Sequence, residues 1–190
     1  MPTALSLDLS SSLALEAVGK QALSFLQVEL NDEIVAVQQE WAVLDAKLEY
    51  QPIDVEMIMP ENFYHGHRPS LIDAPVEAYP NCSVMAFSAS PQISDWDHED
   101  RYSLRLFVEL MCKSDSDEGE VNSRIQRTAD AAHRVLMRNP SLGGLVDEVA
   151  NTPTLEVSDV FTRMEQTRSG HKFFWQGARL EYTIMKYANR

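Results

Sequence analysis

The segment from residue 101 to residue 146 constrains the fold more than any other part of this chain. It begins with a strict alternation of apolar and polar residues, in which Leu104, Leu106 and Val108 occupy one side. That period of two is typical of a half-buried strand. An acidic turn follows, and then one amphipathic helix that ends at Pro140. A strand that leads into such a helix predicts an α+β domain with the helix packed against the sheet.

The helix inside this segment has clear boundaries. Asp117, followed by Glu120 three residues later, forms a capping-box pattern that predicts the helix start. Pro140 and the Gly143-Gly144 pair predict a stop and a turn back to the sheet. The predicted apolar face recurs every three or four residues: Val121, Ile125, Ala129, Ala132, Val135 and Leu136.

Five arginines, on the predicted strand and off the apolar face of the helix, have two open interpretations. They are Arg105, Arg124, Arg127, Arg134 and Arg138. They form salt bridges with the acidic surface of a like subunit, or they are solvated surface charges, which is the more conservative interpretation.

Residues 12–49 show a second helical pattern. The apolar stripe keeps its phase throughout: Leu23, Leu26, Leu30, Ile34, Val37, Trp41, Leu44 and Leu48. This pattern predicts one long helix, or two nearly coaxial helices if Asn31-Asp32 caps a second one. Such a stripe requires a sheet or a neighbouring subunit to bury it.

Residues 51–80 differ in composition from the segments on either side. They contain five prolines and Gly66, and proline is excluded from helix interiors and central strands. We therefore expect an extended Pro-rich arm. Connections of this length commonly reach a partner, and the aromatic side chains of Phe63, Tyr64 and Tyr79 would pack on one.

Four strands are expected, at residues 82–88, 101–112, 154–164 and 173–187. Together with the helices they predict a mostly antiparallel four-stranded sheet packed by an amphipathic helix. The chain then divides into an N-terminal helical region (1–50), the extended arm (51–80) and an α+β core (81–190), all within one domain.

Charge and composition exclude several functional classes. The chain has 29 acidic and 16 basic side chains, a net charge of −13, which argues against wrapping nucleic acid or binding anionic membranes. No apolar run is long enough for a membrane span, and the first residues lack the pattern of a secretion signal. Cys82 and Cys112 are predicted to be buried free thiols, with a disulfide open if their strands are neighbours.

No residue pattern completes a catalytic or metal site. His65 and His67 flank Gly66 and resemble part of a zinc site, but a third ligand at recognised spacing is missing; Glu61 and Asp73 are the nearest carboxylates. We expect these histidines to pack or to contact a partner, although a metal-dependent enzyme that uses them is the alternative.

Three further motifs have ordinary explanations. The carboxylate-dense run 95–100 lacks the glycine and terminal glutamate of a calcium loop. His133 lies near Asp130 without an assignable nucleophile. Gly143-Gly144 lacks the strand-turn-helix context of a phosphate loop. We therefore predict no catalytic residue, no cofactor and no metal.

The run 121–136, VNSRIQRTADAAHRVL, is followed by PSLGGLV at 140–146. Together they resemble the helix and "LGG-V" segment of tailed-bacteriophage tail terminators and related neck or tail-completion proteins. Residues 79–84 resemble the Pro-led strand of that family, and residues 175–187 resemble its final strand pair. The resemblance covers roughly residues 79–186, whereas the long N-terminal helix and the Pro-rich arm exceed those of minimal members.

The resemblance implies a structural role in the virion and no enzymatic activity. Members of the family form rings, typically homohexamers, that cap the tail tube, end its polymerisation and join the tail to the head connector. The implied partners are copies of the chain itself, the tail tube protein and the connector or adaptor proteins, after assembly in the host cytoplasm. A head-closure or adaptor role in the same neck is the alternative. The negative charge would let DNA pass through without binding.

Overall fold

The computed structural model describes residues 12–66, 76–92, 101–149, 152–164 and 172–187. It contains two α-helices, α1 (Ser12–Lys47) and α2 (Glu118–Arg138). The seven strands are β1 (Phe63–His65), β2 (Asn81–Gln92), β3 (Arg101–Ser114), β4 (Glu148–Val149), β5 (Thr154–Val157), β6 (Phe161–Met164) and β7 (Lys172–Tyr187). The α+β class and the long N-terminal helix are therefore confirmed.

The predicted number of four strands is wrong, because the described residues form a sheet of seven strands. The sheet is mixed, although most of its pairs are antiparallel as predicted. Its order is β1-β2-β3-β7, and β4, β5 and β6 each pair with β7 along one edge. The β1–β2 pair is parallel and the other pairs are antiparallel.

Two local features account for β1 and for the division of the predicted strand 154–164, and the third additional strand is the two-residue β4. Phe63–His65 is a proline-free stretch within the Pro-rich segment, so its backbone can join β2. The predicted strand 154–164 is interrupted at residues 158–160, where Ser158 bonds to the backbone of Gly177. That interruption leaves the two separate strands β5 and β6.

Both helices lie on one face of the sheet. α1 packs against β1, β2 and α2, whereas α2 packs against β3 and β7. The predicted apolar face of α2 is buried in the main core, opposite the alternating residues of β3 and β7, such as Leu106 and Tyr182. A second, smaller cluster on the other face joins Tyr79, Met111 and Trp175.

The apolar stripe of α1 is buried along only part of its length. Its members from Leu23 to Val37 are in the core, but Leu44 is 40% exposed and Leu48 52% exposed. The C-terminal end of α1 therefore extends past the elements that bury the rest of the stripe.

The described parts of the Pro-rich segment lie against the domain itself. Val55 and Ile58 are buried in the main core. The side chain of Asn31 makes two hydrogen bonds of 2.9 Å with the backbone N–H and C=O of Ile58. Residues 67–75, including His67 and Asp73, lie outside the described residues, as does the acidic run 95–100.

Candidate functional site

The interface between α1 and α2 contains a row of ion pairs. The two helices are antiparallel, and acidic side chains of α1 face arginines of α2. Arg138 bonds to Glu33 at 2.5 Å and Arg134 to Glu40 at 2.8 Å, while Arg127 bonds to Asp45 at 2.8 Å. The hydrogen bond from Arg134 lowers the pKa of the Glu40 carboxyl, and the same bond raises the pKa of Arg134.

The last of these pairs is the most buried. The side chains of Asp45 and Arg127 are each 6% exposed. The Arg127 guanidinium also donates to the carbonyl of Ile53 at 3.3 Å and lies 5.0 Å from the ring centroid of Trp41. Three groups of the protein therefore contact this guanidinium: the Asp45 carboxylate, the Ile53 carbonyl and the Trp41 ring.

Arg124 forms a second junction, between α2 and the segment that follows α1. Its guanidinium bonds to Glu56 at 3.0 Å, to Glu120 at 2.6 Å and to the carbonyl of Lys113 at 2.9 Å. Asp117 caps α2 as predicted and accepts from the backbone N–H of Glu120 at 2.7 Å. The Glu120 carboxylate, however, bonds to Ser114 and Arg124.

In the described structure these arginines pair with carboxylates of the same chain. The side chains of Arg105 and Arg138 are nevertheless 54% and 52% exposed, as expected of surface charges, and salt bridges to another copy stay a prediction. Arg105 likewise pairs with Glu181 across the open face of the sheet. The sequence did not specify this helix pairing, because the spacings of the partners differ. The acidic residues at 33, 40 and 45 are 7 and 5 residues apart, whereas the arginines at 138, 134 and 127 that face them are 4 and 7 apart.

A cavity of about 600 Å³ lies beside the Asp45–Arg127 pair. It is bounded by the C-terminal end of α1, by residues 50–53 and by the N-terminus of α2. Trp41, Tyr50 and Ile53 supply apolar walls, and Asp117 and Glu120 supply carboxylates. Its volume is in the range of pockets that hold small ligands.

The open face of the sheet has a different character. The Phe107 ring lies between the guanidinium groups of Arg105 and Arg179, at 5.3 and 5.2 Å from its centroid. Arg179 pairs with Glu109 at 2.5 Å, and that bond raises the pKa of Arg179. The charges on this face are therefore largely compensated in place.

Within the described part of the chain, the candidate catalytic side chains are not brought together. His65 is exposed and lies beside Gly19 of α1, whereas His133 stacks on Tyr182, with its Nδ1 3.2 Å from the tyrosine hydroxyl. Asp130 pairs with Arg134 instead of His133. Among the described residues, no three His, Cys, Asp or Glu side chains form a metal-binding group.

The glycine pair and the cysteines have structural explanations. Gly143 and Gly144 have positive φ values of 71° and 86° in the turn that leads to β4. Cys82 and Cys112 are both free and buried, on the neighbouring strands β2 and β3. Burial raises the pKa of both thiols, to about 11 for Cys112.

Neither described helix has both the length and the apolar character needed to cross a membrane. In comparisons with known proteins, no protein-family model and no curated sequence matches the chain.

Proposed function

We propose that the protein is a structural subunit of the head–tail junction of a tailed bacteriophage, similar to a tail terminator. In this role, copies form a ring, with six the expected number, that caps the tail tube, ends its polymerisation and meets the head connector. The resemblance of residues 121–146 to tail terminators supports this role, and the net charge of −13 suits a channel through which DNA passes without binding.

The observation that carries the proposal is the pair of uncovered sheet edges. In the described part of the chain, β1 pairs only with β2 and β5 pairs only with β7. The two edges differ in sequence and lie on opposite sides of the sheet. Contact between the β5 edge of one copy and the β1 edge of the next is heterologous, which is the type of contact that closes rings.

The β5 edge also carries exposed apolar side chains. Leu155 and Val157 lie opposite Leu180 and Ala178 of β7, so they project from the helix-bearing face of the sheet. They are nevertheless 48% and 37% exposed, because α2 covers mainly β3 and β7. A neighbouring copy would bury both the apolar side chains and the backbone edge.

The C-terminal end of α1 provides a separate exposed apolar surface. We call Val43, Leu44 and Leu48 the α1-end patch. A ring in the neck contacts its own copies and also different proteins, so two separate surfaces are needed. We assign the β5 edge to the copies and the α1-end patch to the tube or connector protein.

Size-exclusion chromatography with light scattering tests the ring, with electron microscopy of purified particles as the second readout. We expect the wild-type protein to form a ring and Leu155→Lys to give monomers. Phe87→Lys is the matched control, because Phe87 is 39% exposed but lies on the open face of the sheet. A wild-type protein that is monomeric at all concentrations and absent from particles would refute the proposal.

The head-closure or adaptor role differs only in the neighbours of the ring. The position of the ring density in a particle map separates the two roles: density on the tail tube indicates a terminator, and density on the portal side indicates an adaptor.

A further inference from the structure

From the cavity beside the Asp45–Arg127 pair, we infer a docking site for an arginine side chain of a different protein. This inference deepens the proposed function, on which it rests for the partner's place in the particle. The preference for an arginine side chain does not rest on that function, because it follows from the charge and the surfaces of the cavity.

The charge of the cavity selects a cation. Three acidic residues line it, Asp45, Asp117 and Glu120, against the basic residue Arg127. Asp45 pairs with Arg127, and Glu120 pairs with Arg124 just outside the lining, which leaves one net negative charge, that of Asp117. The Arg127 guanidinium already contacts Asp45, the Ile53 carbonyl and the Trp41 ring, so it offers little to an anion. Exposed acidic side chains at Glu49, Asp54, Asp115 and Glu118 add to the negative potential.

The walls of the cavity favour arginine over lysine and over a metal ion. Tyr50 is 66% exposed at the rim, and Trp41 and Ile53 lie further in. A guanidinium plane stacks on aromatic rings, and its alkyl stem packs on apolar walls. Asp117 uses one carboxylate oxygen for the helix cap, which leaves capacity to accept donors from a bound guanidinium.

The surroundings favour a protein over a free small molecule. The α1-end patch lies on the same end of α1 as Trp41, which lines the cavity. Leu48 there is 52% exposed and comes two residues before the cavity residue Tyr50. An arginine flanked by apolar residues would enter the cavity while its neighbours cover this patch, which adds buried apolar area to the charge interaction.

The test is a titration of ¹⁵N-labelled full-length protein with N-acetyl-arginine amide, followed by NMR. We expect saturable shifts of the amide signals of Gly119 and Ser123, which line the cavity. N-acetyl-leucine amide is the uncharged probe and should give no saturable shift at these positions. N-acetyl-lysine amide should bind more weakly than the arginine probe, because it does not stack in the same way.

Two variants link the binding to the cavity. Asp117→Asn removes the charge and keeps a good helix cap, and Tyr50→Ser removes an exposed ring. Each should weaken the arginine probe by about three- to tenfold. Glu148→Gln, an exposed acid on β4, is the control and should leave binding unchanged.

Three results would overturn the inference: no saturable shift with the arginine probe, equal binding of the leucine probe, or an affinity for the arginine probe that neither cavity variant weakens. Because this titration does not depend on oligomeric state, its failure is distinct from a failure of the ring in light scattering.

Discussion

The Asp45–Arg127 pair allows the sharpest test of how the two helices are held together. Asp45→Ala would leave the Arg127 guanidinium buried without its carboxylate, at 6% exposure. Breaking a buried pair in this way typically costs about 3–5 kcal/mol in the free energy of unfolding. The Ile53 carbonyl and the Trp41 ring still contact the guanidinium, so we expect a loss near 3 kcal/mol, at the lower end of that range.

A double variant separates the charge effect from a loss of packing. In Asp45→Leu/Arg127→Met both charges are absent and much of the apolar volume remains. Because replacing both partners removes the desolvation cost of two ions, its free energy of unfolding should return to within about 1 kcal/mol of wild type. The single and double variants together form a mutant cycle for this pair.

Urea unfolding monitored by circular dichroism measures these values, with the midpoint and slope reported for each variant. Glu16→Gln is the control on the same helix, because the exposed Glu16–Lys20 pair should give no measurable change of midpoint. A loss below about 1 kcal/mol for Asp45→Ala would refute the argument, since it would mean that the Arg127 guanidinium readily reaches solvent or another hydrogen-bond partner.

Three further predictions concern single sites. Burial opposes ionisation of Glu120, but hydrogen bonds from two serines of the preceding turn and from Arg124 outweigh it, so its folded pKa is lowered. The ionised Glu120 therefore stabilises the fold above the pKa that it has in the unfolded chain, and this stabilisation is lost as the pH falls through its pKa in the folded protein. In urea titrations at several pH values, Glu120→Gln should lose less stability at acidic pH than the wild type does. Gly144→Ala should cost about 1–2 kcal/mol in urea unfolding, because φ is +86° with no atom near the added Cβ, and no loss would contradict the left-handed turn. Cys82 and Cys112 should not react with Ellman's reagent at pH 8 until the protein unfolds, because burial raises both thiol pKa values; rapid labelling of the native protein would contradict this.

Much of the secondary structure was predictable because its signals are local. The repeat from Val121 to Leu136 and the Asp117 cap specify α2 within one stretch of chain. The alternation of β3 likewise indicates its buried face without knowledge of its neighbours. The candidate cavity was not predictable, because Trp41, Ile53 and Asp117 come from three separate segments and have no common spacing.

The sequence by itself determined the α+β class, the positions of both helices and of the long strands, and the burial of both cysteines; that they form no disulfide was decided by the tertiary structure. Only the tertiary structure decided which strands pair, that β1 joins the sheet in parallel, and that the arginines of α2 pair with α1. It also decided that Leu30 is buried while Leu48, in the same stripe, is exposed. The reason is physical: periodicity records which face of an element is apolar, whereas the surface that covers that face is supplied by residues far away in the chain.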